Sequence, residues 1–526
     1  MRINNGDAQY HNFLPQQPPK GTYLGQAEEA DLLKIANQNI DKTAESSVDN
    51  EIAIAREIIR KYPHRRRKIY FFIGIQNYKN YPSSPQCHPN TPQPHENVGN
   101  LRYPKADISR IKGCFRPYHS EDIIFTLTNA NATKANIEKI FRFLCPDTEE
   151  GYTQTSQGKV PNCSQQDYCY IFYSGHGYEF ETSRAKSKGE VRRKSFLIPY
   201  GADLEDLNYK LSPGEKKKIK QEFDQIIGLT EKEKTAFIKQ KIEEKEYPKK
   251  FRSFISMEYF TNVLCRIPAI KPVFLDACYS AGFFGKGKGM SSGFKNAQEI
   301  IDAFKEGFRR GFLGAAVQGE FQAFEFGKIE GGVYFTALEL GLGYGSSIGL
   351  ADRYIDGEEV NHVITERELI IYLEKSVPRL MELVVLDRYL TKDVGGMSVF
   401  ERLCAVYTPD DLKKARRIAS DIGHPIPHNV SDFTVQDLWI VSMIIEQNAY
   451  SIWEKLNGKR NFNSRMYDCL TRAYTRDEIR KAYENAEIDG IRIQWPQSFD
   501  NYPKDMVIKA DPEEDQFEIQ DNKDNM

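Results

Sequence analysis

From about residue 68 to residue 385, short and nearly continuous apolar runs alternate with amphipathic stretches. Lys68-Ile-Tyr-Phe-Phe-Ile-Gly-Ile75 is apolar enough to predict an interior strand of a sheet covered on both faces. Asp122 to Leu127, Tyr168-Cys-Tyr-Ile-Phe-Tyr173, Val273 to Leu275 and Gly311 to Val317 predict further strands, with a short one at Lys194 to Tyr200. Helical spacing lies between them. Asp107-Ile-Ser-Arg-Ile-Lys reads as the first turns of one helix; Thr133 to Leu144, Glu258 to Cys265 and Val333 to Leu342 read as others. Strands and helices in this alternation form βαβ units, whose crossovers make the sheet largely parallel.

The flanks read differently. Residues 1–62 combine a polar, proline-bearing arm with short helices at Ala27 to Ile40 and Asn50 to Arg60, the second striped by Ile52, Ala55, Ile58 and Ile59. Within the α/β region, residues 212–250 are rich in Lys and Glu and carry capping boxes at Ser212/Glu215 and Thr230/Glu233, which predicts a charged, solvated helical hairpin. Residues 282–293 are Gly-rich and contain Lys286 and Lys288, a mobile and easily cut composition. Thr365-x-x-Glu368 caps a helix expected to run through Ser376. Beyond it, helices open at Thr408, at Thr434 (reaching about Leu456) and at Thr475. The expected organisation is an N-terminal arm (1–62), an α/β domain (63–384), a mostly helical C-terminal domain (385–510) and an acidic tail (511–526).

Composition narrows the class of protein. With 526 residues, 40% hydrophobic and 28% charged, and a formal net charge of -2, the chain asks for neither nucleic acid nor an anionic membrane as partner. No apolar window of spanning length is present, so a soluble, cytoplasmic protein is expected. Nine cysteines are too sparse for a disulfide scaffold, and there is no CxxC pair. Cys87 and His88 near His95 lack the spacing of a closed metal site.

Candidate chemistry sits at two strand ends. The Val273 to Leu275 strand empties into Asp276-Ala-Cys278-Tyr-Ser-Ala-Gly282, and the Tyr168 to Tyr173 strand into Ser174-Gly-His176-Gly177. A thiol at such a place is held by the core yet can be reached from solvent, and glycines on both sides free the imidazole from bulky neighbours. In a parallel sheet the carboxyl ends of the strands share one rim, so Cys278 and His176 can meet there as nucleophile and base. Each also has a structural reading, as a buried thiol and a packed histidine.

These residues give the chain a family likeness. In order along the sequence stand Ile73-Gly-Ile-Gln-Asn-Tyr78, Leu101-Arg-Tyr-Pro-Lys-Ala-Asp107, Tyr173-Ser-Gly-His-Gly177, Asp276-Ala-Cys-Tyr-Ser-Ala-Gly282 and Gly332-Val-Tyr-Phe-Thr-Ala-Leu-Glu-Leu-Gly341. The set resembles the caspase-like cysteine peptidases (clan CD, peptidase C14), nearer their metacaspase-like and prokaryotic members, over about residues 68–375. The resemblance implies a caspase-like, mostly parallel sheet flanked by helices. It further implies Cys278 as nucleophile, His176 as general base, the amides of Gly177 and Cys278 as oxyanion donors, and Asp107 and Asp276 as acidic walls of a pocket for Arg or Lys. On their own, Asp107 also reads as a first-turn helix residue and Asp276 as a loop-ordering acceptor. Two departures are Ala281, where glycine commonly stands, and the long loop 77–100.

Such a specificity makes Lys286 and Lys288 candidate autocleavage positions in a zymogen. The expected partners are a protein or peptide substrate and an activating or regulatory protein held by the terminal helical regions. Calcium enters through the resemblance alone; the chain has no EF-hand spacing. Two other functions stay open: a catalytically silent adaptor, and a thiol hydrolase of a non-peptide amide.

Overall fold

The structure is a computed structural model. It describes residues 47–79, 100–184, 191–203, 206, 209–224, 230–277, 311–316, 325–326, 329–353, 360–390, 398–447, 451–458, 464–488, 493, 496–500 and 506–510. All belong to the unit that spans Ser46–Met526.

Helix α1 (Val48–Lys61) precedes β1 (Lys68–Gly74), α2 (Pro104–Cys114), β2 (Ile123–Thr128) and α3 (Lys134–Leu144). A hairpin of β3 (Tyr152–Thr155) and β4 (Gly158–Pro161) leads to β5 (Tyr168–Ser174), β6 (Gly177–Arg184) and β7 (Val191–Leu197). The charged stretch forms α4 (Pro213–Asp224) and α5 (Glu231–Lys250), which pack on each other. Then come β8 (Ile255–Ser256), α6 (Met257–Arg266), β9 (Lys271–Asp276), β10 (Gly311–Ala315), β11 (Glu325–Phe326), β12 (Gly331–Gly332) and α7 (Val333–Leu342). After β13 (Val363–Thr365) and α8 (Glu366–Tyr389), the chain is helical through α9 (Val399–Cys404), α10 (Pro409–Asp421), α11 (Val435–Ile445), α12 (Ile452–Leu456), α13 (Arg465–Ala473) and α14 (Arg476–Ile488). Strands β14 (Gln497–Asp500) and β15 (Val507–Ala510) follow.

The main sheet has the order β14-β10-β9-β5-β1-β2, parallel throughout except for the antiparallel edge strand β14. Strands β1, β5, β9 and β10 are buried on both faces, as their continuous apolar runs require. One face carries Ile69, Phe71, Ile73, Phe125, Ile171, Val273 and Leu313 against α1, α3 and α6. The other carries a ladder of rings: Phe72, Phe172, Phe274 and Phe312 follow one another across four strands at 5.1, 5.1 and 5.4 Å. Helix α2 packs on β1 and β5 beside α7, where Phe115 and Phe335 meet the ladder.

Three features differ from the expected layout. Helix α8 does not stop before Pro378 but runs on to Tyr389. Its interior is buried on nearly every side, and Trp439 Nε1 and Arg379 Nη1 tie it to α11, so tertiary packing overrides the proline. The helix opened by Thr434 ends at Ile445, and α12 starts afresh behind the N-cap Ser451. The helical region also returns to the α/β layer, with β14 pairing β10 and β15 pairing β13.

Candidate active site

Strands β5 and β9 are neighbours, and their last pair is Ser174 with Asp276. The Gly175 amide continues the ladder by donating to the Asp276 carbonyl at 3.1 Å. His176 comes next, half-buried, with its backbone held on both sides. Its N–H donates to Tyr78 Oη at 2.7 Å, and its carbonyl accepts from Tyr173 Oη at 2.9 Å and from the Ile198 amide at 3.1 Å. The Tyr78 ring lies 4.9 Å from the imidazole, tilted by 37°. A side chain at 175 would meet the hydroxyls of Tyr78 and Tyr173 at 2.9 and 3.0 Å, so only glycine lets the two phenols close on the histidine's backbone. Gly177 opens β6 opposite Leu197. Cys278, Lys286 and Lys288 lie outside the described residues, as does the segment with Cys87, His88 and His95.

Asp107 and Asp276 come together. Asp107 sits in the first turn of α2, which begins at Pro104, and is fully buried. Its carboxylate accepts from the Gly332 amide, at 3.1 Å to Oδ1 and 3.3 Å to Oδ2, and from Ser174 Oγ at 3.1 Å. Asp276, also buried, reaches the same glycine: a Cβ on Gly332 would lie 2.2 Å from Asp276 Oδ2 and 3.3 Å from Asp107 Oδ2. Gly332 is thus the floor on which both carboxylates converge. Burial pushes the Asp107 carboxyl up to about 6, opposed by Arg110, the Gly332 amide and the Ser174 hydroxyl. Tyr334 beside them is fully buried, and burial together with the Asp276 charge pushes its phenol well above the ordinary value.

Two charged residues of this cluster were not singled out in the sequence. Arg110 Nη2 binds Asp107 Oδ1 at 2.6 Å, and its Nη1 donates to the Glu330 carbonyl at 2.9 Å. Its Nε lies 3.0 Å from Glu339 Oε2, a charge contact without hydrogen-bond alignment. Burial pushes Glu339 up to about 7; Arg110 opposes the shift and Asp107 adds to it. Both residues carried a legible signal. Arg110 stands one helical turn after Asp107, and Glu339 is the lone charge in an otherwise apolar helix, which demands a buried partner.

Helix α7 joins this cluster to the C-terminal strands. Past its last turn, Lys509 Nζ donates to the carbonyls of Leu342, Gly343 and Ser347 at 3.0, 2.9 and 2.8 Å. A cation there complements the negative end of the helix, whose N-cap is Gly332.

The seven described cysteines are free thiols. Among the described residues no group of three or more His, Cys, Asp or Glu is arranged to hold a metal ion. No helix among them is long and apolar enough to cross a membrane.

Fold and site thus define a mixed α/β protein, with a parallel sheet flanked by helices and a mostly helical C-terminal region, carrying two buried carboxylates beside a strand-end histidine. No family model and no curated protein matches the chain. Solved structures that match include a Geobacter sulfurreducens protein determined by structural genomics, 10% identical. The match covers 59% of this chain and 88% of that one at a TM-score of 0.28, too low to carry fold or function across.

Proposed function

We propose that the chain is a caspase-like cysteine endopeptidase that cleaves after Arg or Lys, with Cys278 as nucleophile, His176 as general base and Asp107 and Asp276 as the acidic specificity pocket. The observation that carries the proposal is the convergence of the two buried carboxylates on Gly332, with Asp276 paired to Ser174, two residues before His176. Buried carboxylates are costly unless a cation meets them, so a pocket built on two favours a cationic side chain. Further support comes from register. His176 follows Ser174 by two residues and Cys278 follows Asp276 by two, and Ser174 and Asp276 are cross-strand partners.

In this mechanism His176 takes the proton from the Cys278 thiol, and the thiolate adds to the scissile carbonyl carbon. The amides of Gly177 and Cys278 bind the resulting oxyanion, contributing a few kcal/mol to transition-state stabilisation. Collapse expels the amine, which leaves with the proton held by His176. Water, deprotonated by the same imidazole, then hydrolyses the thioester and restores the thiol.

A covalent peptide probe with Arg or Lys at P1, followed by mass-spectrometric mapping, tests the proposal. Labelling at Cys278 and loss of cleavage in Cys278→Ala are expected. Unimpaired cleavage by that variant, or a preference for Asp at P1, would overturn it. Intact mass before and after incubation checks the cuts expected after Lys286 or Lys288.

A further inference from the structure

Resting on that reading of the pocket, we infer that Arg110, held between Asp107 and Glu339, is a positioning residue that keeps Asp107 ionised and aimed at the incoming P1 cation. Asp107 is walled in by Ser174 from β5, Gly332 from β12 and Asp276 from β9. Without a counter-charge, a carboxyl so buried and so near a second carboxylate holds its proton, and a protonated acid attracts no cation. Arg110 supplies the counter-charge from one turn along the same helix. It binds Oδ1, while Oδ2 accepts from Ser174.

The guanidinium cannot follow Asp107 into the pocket, because three other groups hold it. These are Glu339 at 3.0 Å, the Glu330 carbonyl at 2.9 Å and Thr336 Oγ1 at 3.4 Å. Packing is close as well, since a Cβ on Gly331 would lie 2.0 Å from Arg110 Nη2. The arginine is therefore held away from the pocket, above about pH 7 also by the full charge of Glu339. The other titratable groups facing the cluster are Tyr334 on α7, beside Asp276, and Cys114, His424 and Lys509 behind Arg110. Burial, Arg110 and Lys509 hold His424 down to about 4, so it stays neutral through the working range. Cys114 and Tyr334 are pushed up by burial and stay neutral there too.

The test compares kcat/KM for matched peptides with Arg or the uncharged isostere citrulline at P1, as a function of pH. The ratio of the two cancels the ionisation of His176 and Cys278 and reads the pocket alone. In the intact chain the ratio falls on acidification through about pH 6, as Asp107 takes up its proton. In Arg110→Gln that acid limb moves up by at least about one pH unit, a loss of the ratio of about fivefold or more at the old midpoint that approaches tenfold below it, and the ratio recovers as pH rises. In Glu339→Gln the limb stays near pH 6, because the Glu339 carboxyl, pushed up to about 7, is already mostly protonated there.

A merely structural role would not shift the limb; if Arg110→Gln does not fold, Arg110→Met serves in its place, and Arg110→Lys, which keeps the charge, holds the limb nearer pH 6. A folded Arg110→Gln or Arg110→Met protein that keeps the limb of the unmodified protein overturns the inference. If the unmodified protein cleaves neither peptide, the peptidase reading fails. The clamp is then judged by p-aminobenzamidine fluorescence with the same variants: binding whose acid limb moves up when the Arg110 charge is removed upholds it, and no binding or unshifted binding overturns it.

Discussion

Gly332→Ala probes the meeting of Asp107 and Asp276 with a single methyl group. Gly332 has φ -70° and ψ 138°, an ordinary extended conformation, so alanine brings no backbone strain. The whole effect lies in the new Cβ, 2.2 Å from Asp276 Oδ2, 3.2 Å from its Cγ and 3.3 Å from Asp107 Oδ2. Ordinary carbon–oxygen contact begins near 3.4 Å, so the Asp276 carboxylate must retreat by about 1 Å. Its backbone cannot yield easily, because β9 is bonded to β5 on one side and to β10 on the other. Overpacking of this kind costs about 1–3 kcal/mol of stability. If the displaced carboxylate is the one that meets the P1 cation, a charge-assisted contact worth about 1.5–3 kcal/mol is impaired, which is roughly a ten- to hundredfold loss of kcat/KM. Urea denaturation and cleavage of matched Arg and citrulline peptides measure the two effects, and the loss should fall mainly on the Arg substrate. A Gly332→Ala protein of unchanged stability and unchanged Arg preference would refute the convergence of the two carboxylates on this residue.

Two further outcomes follow from buried charge elsewhere. Arg67 Nη2 and Asp167 Oδ2 form an ion pair 3.0 Å apart with both side chains out of solvent, and Asp167 also accepts from the Arg67 and Ser164 amides at 2.8 and 2.7 Å. Asp167→Ala orphans a buried guanidinium and should cost about 3–5 kcal/mol by urea denaturation; a loss under about 1 kcal/mol would contradict this. Burial pushes Glu382 up to about 7 although it accepts the amides of Ile452 and Trp453 at 2.8 and 2.6 Å. The folded chain therefore holds this proton more tightly than the unfolded chain does. The stability it contributes is complete below the ordinary value of 4.5 and is lost as pH rises through about 7. Thermal midpoints should fall across that window, and less steeply in Glu382→Gln; a midpoint that rises with pH would contradict the assignment.

The alternation of apolar runs and amphipathic stretches was enough to mark β1, β2, β5, β9 and β10 and the helices between them. A strand buried on both faces must be apolar along its length, and a helix on a sheet must carry a stripe. Cap chemistry was legible for the same local reason: the hydroxyls of Thr365, Thr408 and Thr434 receive the amides three residues on, as their spacing demands. The helix through Pro378 was not legible, because the contacts that hold it come from α11, some sixty residues away. Hairpin β3–β4 and strands β14 and β15 escaped as well. They are short, and their pairing partners rather than their composition make them strands.

The candidate site divides along the same line. His176, Asp107 and Asp276 each stand in a local pattern that a sequence displays. That Asp107 and Asp276 share one glycine, and that Arg110 and Glu339 complete their charge balance, depends on α2, β9 and α7 being packed side by side. Local spacing determines which atoms a short segment can offer. Burial and the meeting of charges arise from elements distant along the chain, and these decided what the carboxylates of this protein face and how tightly they hold their protons.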